Sequence, residues 1–409
     1  MKFKSNIKSI KGNTPSLRED KFYSSDEDGL YMVVAGVGEK APAIKASQMT
    51  IDTLSNLIFS QKSLIEKISG FKSKDEIEAL MDHLEAGVKK LSMQMRSEVL
   101  KDPVRRPMGA SFKLLFVREN VGLILQVGDG EIYLKREGVL NNLSNSSQSS
   151  QAASLGVEFE NILGSAFDFK LSLVSVELSP GDEFILCSDG LQKNISPTQL
   201  KGICSDDVGS DVVSDIIKQV EKLGVYESAT VMNIIFEKVS GKDKTITAHN
   251  KFEVLKGIPL FSLLEFKEIA KVISKMEQRS FKSNELIIKQ GDKGGENLFV
   301  ILSGSAEVII SNKVVANLSS GDYFGELSLI DKAPRSATIK ASEDIEALIM
   351  NRDEFYKIIT KEKNISIKLL WKLTKNLSRR LREADLMITE IGEGTRILKD
   401  MDELELDLD

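Results

Sequence analysis

Apolar and polar positions alternate differently in the two parts of the chain. Residues 1–237 read as mixed helix and strand, and residues 251–364 as many short strands between turns. Tyr31 to Ala35 is an apolar run ending at glycines, which predicts a buried strand. From Ala43 to Phe59 the spacing is helical, with Ala46, Thr50, Leu54, Leu57 and Ile58 on one side. A second helix is predicted from Lys74 to Leu100. Its stripe is Ile77, Leu80, Met81, Leu84, Val88, Leu91 and Met95, and Ser73 with Glu76 reads as a capping box. Strand-like runs follow at Ser111–Val117, Gly122–Val127, Glu131–Lys135, Leu171–Leu178 and Glu183–Cys187. A helix from Asp211 to Leu223 stops at Gly224, and Thr230–Phe236 is a last apolar strand. Asn141–Ser154, rich in Ser, Gln and Asn, reads as a mobile surface loop.

The polar segment Lys238–Asn250 is the expected linker. Beyond it a helical opening, Phe252–Met276, precedes strands at Glu285–Lys289, Asn297–Leu302, Ser305–Ser311 and Lys313–Leu318, a spacing that suggests a β-barrel or jelly roll. Residues 365–393 are predicted helical, with Leu370, Leu373, Leu377, Leu381, Ala384, Ile388 and Ile391 forming a seam suited to a partner helix, and 394–409 form an acidic tail. Arg379, Arg380 and Arg382 read as the solvated face of that helix.

A chain of 409 residues allows two or three domains, each with its own core. Its net charge of −6 resides in the last ten residues, which hold six acids and no base, so residues 1–399 balance to zero. A neutral body lacks the basic excess of a nucleic-acid-binding protein. No apolar run approaches the roughly 18 residues of a membrane span, and the first residues lack the apolar segment of a signal peptide. Two cysteines, Cys187 and Cys204, are too few for a disulfide framework, and a cytoplasmic protein is expected. Two histidines, His83 and His249, leave no multi-histidine metal site.

The segment Phe324–Ala341, FGELSLIDKAPRSATIKA, carries the most specific chemistry. Gly325 permits close backbone approach, and Glu326–Ile330 can form a helical turn whose free N–H groups face an anion. Arg335 is a permanently charged fork suited to phosphate oxygens, and Ser336 adds a hydroxyl. Glu326, an acceptor when ionised, wants a hydroxyl donor. A ligand with a phosphate and a sugar hydroxyl satisfies both. A Glu326–Arg335 ion pair in a turn is the alternative, and spacing alone leaves both open.

The segment resembles the phosphate-binding cassette of cyclic nucleotide-binding domains, and GDKGGENLFVILSGSAEVI upstream is similar to the same family, with Gly291, Phe299, Ile301 and Gly304 in step. The resemblance covers about 110 residues and includes Gly321 and Asp322. It implies a pocket formed by Phe324, Gly325, Glu326, Leu327, Arg335, Ser336 and Ala337, with Glu326 on the ribose 2′-hydroxyl and Arg335, Ser336 and the Gly325 amide on the cyclic phosphate. A Ser at position 336 places cAMP ahead of cGMP. The helix over 365–393 resembles the C-terminal helix of that family, which implies a lid over the purine or a dimerisation helix, and with no room for a helix-turn-helix in the 18 residues after Ile391 a transcription factor is not expected.

In the first part, Val127-Gly128-Asp129-Gly130, Cys187-Ser188-Asp189-Gly190-Leu191 and Tyr226-Glu227-Ser228-Ala229-Thr230 place acids at strand ends beside glycines, as hard-cation sites need and ordinary turns also do. With Met108-Gly109-Ala110-Ser111, they resemble bacterial PP2C-type metal-dependent serine/threonine phosphatases over residues 1–237. The resemblance implies an α+β protein: an α/β/β/α sandwich followed by a jelly roll. It implies two divalent cations and an arginine on the phosphate. The sequence departs from that pattern. Glu19-Asp20 stands for the family's first acidic pair, the arginine falls on Pro15, and the bridging aspartate falls on Ala35, next to Gly36. Asp129 and Asp189 match metal carboxylates, Glu227 replaces the last aspartate, and Lys40 puts a positive charge near the site. Dications roughly 4 Å apart repel strongly without a bridging carboxylate. The expectation is a pseudophosphatase with no catalytic residues and with Mg or Mn absent or reduced to one weakly bound ion. The whole reads as a cyclic nucleotide sensor controlling that domain. Expected partners are another protein, such as a phosphoprotein, and a second copy through the C-terminal helix, with neither nucleic acid nor membrane. The alternatives are an active nucleotide-regulated phosphatase with altered metal ligands and a scaffold with an empty pocket.

Overall fold

The computed structural model describes residues 3–12, 18–68, 73–102, 107–128, 130–144, 161–165, 169–205, 211–225, 228–237, 248–293, 295–330, 333–379 and 381–382. The chain forms two compact units: Met1–Glu253 with Phe266–Arg279, and Val254–Glu265 with Ser280–Asp409.

The first unit contains β1 (Phe3–Ile10), β2 (Arg18–Ser25), β3 (Leu30–Gly38), α1 (Lys40–Phe59), α2 (Lys62–Ile65), α3 (Lys74–Lys101), β4 (Met108–Arg118), β5 (Val121–Val127), β6 (Ile132–Arg136), β7 (Val139–Asn142), β8 (Ser172–Glu177), β9 (Glu183–Cys187), α4 (Asp189–Asn194), α5 (Pro197–Ser205), α6 (Val212–Leu223) and β10 (Ala229–Phe236). They build two five-stranded sheets, ordered β1-β10-β9-β6-β7 and β2-β3-β4-β5-β8. Strand alternation explains the layering. Met32, Val34, Phe112, Leu114, Leu123 and Leu125 face one way and form one core with Leu54 of α1 and Leu80, Leu84 and Leu91 of α3. Ile185, Cys187 and Val231 form another with Val213, Ile216 and Val220 of α6. Tyr31, Val33, Ala35, Ser111 and Lys113 are of the opposite parity on β3 and β4, and they too are buried. The result is the expected α/β/β/α sandwich.

Some local expectations change. The capping box is not formed: Ser73 makes no side-chain cap on α3, and its hydroxyl donates to the Lys67 carbonyl at 3.3 Å. Asn141 and Asn142, expected in a loop, pair with β6 as part of β7; residues 145–154 lie outside the described ones. β1 and β2 were not anticipated, because FKSNIKSI and REDKFYSS carry too few apolar residues. As edge strands they bury one face at most.

The single helical opening expected over Phe252–Met276 is two helices, α7 (Ala248–Gly257) and α8 (Phe266–Lys275). Pro259, just past Gly257, cannot continue a helix. α8 buries Phe266, Ile269, Ala270, Val272 and Ile273 in the first unit, where Lys267 Nζ donates to Ser172 Oγ at 2.7 Å and the Phe266 ring lies 4.4 Å from that of Phe252. Of the expected linker, residues 238–247 lie outside the described ones.

The second unit holds β11 (Glu277–Phe281, its first residues belonging to the first unit), β12 (Leu286–Ile288), β13 (Asn297–Ser303), β14 (Ala306–Ile310), β15 (Lys313–Leu318), β16 (Tyr323–Phe324), a 3₁₀ turn at Glu326–Leu329, β17 (Thr338–Ala341), β18 (Ile345–Asn351) and α9 (Arg352–Lys361). The sheets β11-β18-β13-β16 and β12-β17-β14-β15 close on one core that includes Phe281, Phe299, Ile301, Phe324, Ile339, Ala347 and Ile349. Residues 363–379 are helical. The seam expected there is split: Leu373 is buried with Ile365 and Leu369, while Leu370, Leu377 and Trp371 are exposed. Ala384, Ile388, Ile391 and the acidic tail lie outside the described residues.

At Gly36 the start of α1 packs directly on the sheet, since a Cβ there would overlap the carbonyl oxygen of Ala43. Gly36→Ala is expected to lower stability by about 3 kcal/mol in urea unfolding, as overpacking does. Gly202→Ala, on open α5 surface, is expected to change it by under about 1 kcal/mol in the stabilising direction.

Candidate functional site

In the second unit the candidate pocket grows from one turn. β16 pairs with β13 through Phe299 and Phe324, whose rings stack 4.9 Å apart at 7°. The chain then turns at Gly325, φ +82°, into the 3₁₀ turn. A side chain at 325 would be strained there and would put a Cβ 2.5 Å from the Asn297 carbonyl oxygen and 3.1 Å from Arg335 Nη1, so glycine is required. Arg335 is fixed by its backbone: its N–H donates to the Asp292 carbonyl at 3.1 Å, and its carbonyl accepts from the Gly291 N–H at 2.8 Å. Its Nη1 donates to Ser328 Oγ at 3.0 Å and its Nη2 reaches the Asn297 carbonyl at 3.5 Å. Burial lowers the guanidinium's pKa from its ordinary value, opposed by the charge of Glu296.

Glu326 is buried in the same turn. Phe324 is buried, Ala337 half-buried, and Leu327 and Ser336 are exposed. The structure thus gathers Gly325, Glu326 and Arg335 at one turn and leaves Ser336 toward solvent. Sequence reasoning missed Ser328, although a hydroxyl two residues past Glu326 signals a partner for the arginine.

In the first unit the candidate centre lies across β2, β3 and β4. Asp20 pairs with Ala35, and Ala35 with Ser111, so a methyl group stands between a carboxylate and a hydroxyl. Asp189 begins α4 behind Ser188, at the end of β9. Its Oδ2 accepts from Ser111 Oγ at 2.6 Å, and its Oδ1 accepts from the Gly130 N–H at 2.9 Å and from Lys113 Nζ in an ion pair. Lys113 and Asp189 are 1% and 4% exposed. The glycines flanking position 129 make room: a Cβ at Gly128, φ +100°, would overlap Ser111, and one at Gly130 the end of Lys113.

The Asp20 residue is partly exposed, yet its Oδ2 is sealed from solvent and has no hydrogen-bond partner. Its pKa rises from 3.8 to about 6, chiefly by burial and further by the Asp189 charge, while the Ser188 and Thr230 hydroxyls and the Lys113 charge oppose the rise. Thr230 N–H donates to Ser188 Oγ at 2.9 Å and Gly12 N–H to Ser228 Oγ at 3.1 Å. Asp129, Glu227 and Pro15, and the side chains of Glu19 and Lys40, lie outside the described residues. Among the described residues no three of His, Cys, Asp or Glu stand close enough to share a metal ion. Sequence reasoning missed Lys113. Its strand position has the parity of Ser111, which would have pointed it inward.

Comparison with known proteins agrees with both halves. The family model described as protein phosphatase 2C matches residues 11–225, more than half of the chain, and that of the cyclic nucleotide-binding domain matches residues 278–362. The chain belongs to the protein phosphatase 2C family and carries a cyclic nucleotide-binding domain behind the phosphatase-like one. The cAMP-dependent protein kinase regulatory subunit of Mycosarcoma maydis is 36% identical over 133 residues, 32% of this chain and 24% of that protein. The Cyclic AMP receptor protein of Thermus thermophilus is 34% identical over 137 residues, 32% of this chain and 61% of that protein. The chain therefore spans less than two thirds of the length of either. The solved structure of PppA, a key regulatory component of T6SS in Pseudomonas aeruginosa, is 25% identical, with 57% of this chain and 98% of that chain covered and a TM-score of 0.46. No helix of the described residues is long and apolar enough to cross a membrane.

Because the pKa of Asp20 is raised in the folded state, that state binds the proton more tightly than the unfolded chain. Stability is then greatest below pH 3.8 as far as this group is concerned, and falls as pH rises toward about 6. In metal-free buffer, Asp20→Asn is expected to gain on wild type between pH 4 and pH 7 by roughly 3 kcal/mol in urea unfolding. A pH-independent difference would contradict this environment for Asp20.

Proposed function

We propose that the protein is a cyclic nucleotide sensor, for cAMP ahead of cGMP, whose phosphatase-like domain is a pseudophosphatase that works as a partner-binding module. The observation that carries the sensor half is Arg335. Its guanidinium is half-buried beside the Gly325–Glu326 turn, and the hydrogen bonds it makes to Ser328 and the Asn297 carbonyl are to neutral groups. A cyclic phosphate would replace these with a charge-assisted pair, stronger and better matched to the fork. In this reading Arg335, Ser336 and the Gly325 amide hold the phosphate, with Phe324, Leu327 and Ala337 alongside. Glu326 holds the ribose 2′-hydroxyl, because an acid this close to the phosphate site needs a donor on the ligand. The two curated relatives, both named for cyclic AMP, support the order of preference.

For the phosphatase-like half, the donor set does not fit a pair of divalent cations. Ala35 puts a methyl between Asp20 and Ser111, where a bridging carboxylate is needed. A dication on Asp189 would lie within about 4 Å of the Lys113 ammonium, and at that range the repulsion amounts to several kcal/mol even at an effective dielectric near 20. No metal-activated water is therefore assigned, and no residue is given a catalytic role. The output is binding: the domain holds a protein partner, such as a phosphoprotein, and nucleotide controls access to it. A second copy pairing through the helix beyond residue 363 is part of the proposal, supported by the exposed Leu370, Trp371 and Leu377. A cytoplasmic location and the domain limits 1–237, 251–364 and 365–393 belong to it as well.

Titration calorimetry is expected to give micromolar or tighter binding of cAMP. Arg335→Ala should weaken it more than 100-fold, as loss of one partner of a desolvated charge pair does, and Glu326→Gln about tenfold. Heat from neither cAMP nor cGMP would overturn the sensor. With manganese and a phosphopeptide, no turnover is expected; turnover that disappears in Asp189→Asn would overturn the pseudophosphatase.

A further inference from the structure

We infer that Lys113 is the resident cation of the phosphatase-like centre: its tethered ammonium takes the place of a divalent ion on Asp189, and the first unit folds and holds its centre without metal. The inference deepens the pseudophosphatase reading and rests on it.

A charge removed from water must be paired or fully hydrogen-bonded. In a two-metal hydrolase the metals meet that need. Here Asp189 is 4% exposed, and each of its oxygens is already engaged: Oδ2 by the Ser111 hydroxyl, and Oδ1 by the Gly130 amide and the Lys113 ammonium. Lys113 is 1% exposed, so the need is mutual, since a buried ammonium without an anion is as costly as a buried carboxylate without a cation.

Three features show the pair to be built in. Lys113 lies in the middle of β4, between Phe112 and Leu114 of the helix-side core, and by strand alternation its side chain takes the opposite side, shared with Ser111. Gly130 has no Cβ at the spot where one would overlap Lys113 Nζ and Cε, and its amide binds the same carboxylate oxygen as the lysine. Gly128 has none where one would overlap Ser111 and would lie 3.4 Å from Asp189 Oδ2. Gly128 and Gly130 therefore stand against an ion pair where such enzymes hold a metal. Ala35 completes the change, because one ammonium needs no carboxylate that bridges two ions.

Metal and charge readouts test this separately from catalysis. In differential scanning calorimetry of the full chain, MnCl₂ or MgCl₂ at 5 mM is expected to move the first unit's melting temperature by under about 1 °C. Lys113→Met leaves the buried carboxylate without its cation and is expected to lower it by roughly 10 °C, the size of breaking a buried pair in a unit this large. Adding Asp189→Asn to Lys113→Met removes the stranded charge and is expected to recover at least half of that loss. If Lys113→Met does not fold, the double variant is expected to fold, and its failure to do so would overturn the inference. Lys113→Met is also expected to gain a manganese-dependent rise in melting temperature that wild type lacks, because its carboxylate is freed. A rise of several degrees in wild type with manganese would overturn the inference. So would a Lys113→Met variant as stable as wild type, or a double variant no better than the single one. Turnover by a wild-type protein that ignores manganese would instead strike the pseudophosphatase reading, so the two failures are distinguishable.

Discussion

Each half of this chain is organised around one ion removed from water, and the partner given to that ion decides what the site can do. In the first half the ion is the Asp189 carboxylate, met from within by Lys113, Ser111 and the Gly130 amide. In the second it is the half-buried Arg335 guanidinium, whose hydrogen bonds among the described residues go to a serine hydroxyl and a backbone carbonyl, with the Glu296 charge nearby. A buried ion with a full set of internal partners is closed to ligands, whereas one left with neutral partners gains from an incoming opposite charge. The contrast supports the proposed division of labour, with a silent phosphatase-like domain and a responsive nucleotide-binding one.

The surrounding structure serves these two ions. Around Asp189, glycines at 128 and 130 leave room for Ser111 and Lys113. Across the sheet, Ala35 offers a methyl group where a carboxylate would bridge two ions, and the neighbouring Asp20 keeps one oxygen sealed from solvent and a raised pKa. Around Arg335, Gly325 takes a backbone conformation that other residues avoid, and the Phe299–Phe324 stack fixes the strand that delivers the turn. In both halves glycines permit close approach, and the charged side chains do the selecting.

Elements buried on both sides, such as β3, β4 and β5, and helices with long stripes, such as α3, were legible because full burial leaves an apolar run or a clean 3.6-residue period. β1 and β2 were not, since lysines, serines and acids on an edge strand look like loop. The break between α7 and α8 was written in Gly257 and Pro259, yet the apolar period ran across it. The turn that carries Gly325 and Glu326, with Arg335 close by, was legible because glycine, acid and arginine fall within one short segment. The Lys113–Asp189 pair was not, because its members are 76 residues apart and a lysine in a sequence reads as surface until its strand parity and burial are known. Ala35 was legible as a loss; what replaced the missing charge balance was not.

The central claim is that the first half carries its own cation while the second awaits an anionic ligand. Native mass spectrometry of the full chain, equilibrated with excess manganese and cAMP together, tests both parts in one spectrum. The account predicts a mass increase of a bound nucleotide and no retained manganese. A chain that retains manganese, or one that takes up no nucleotide, would contradict it.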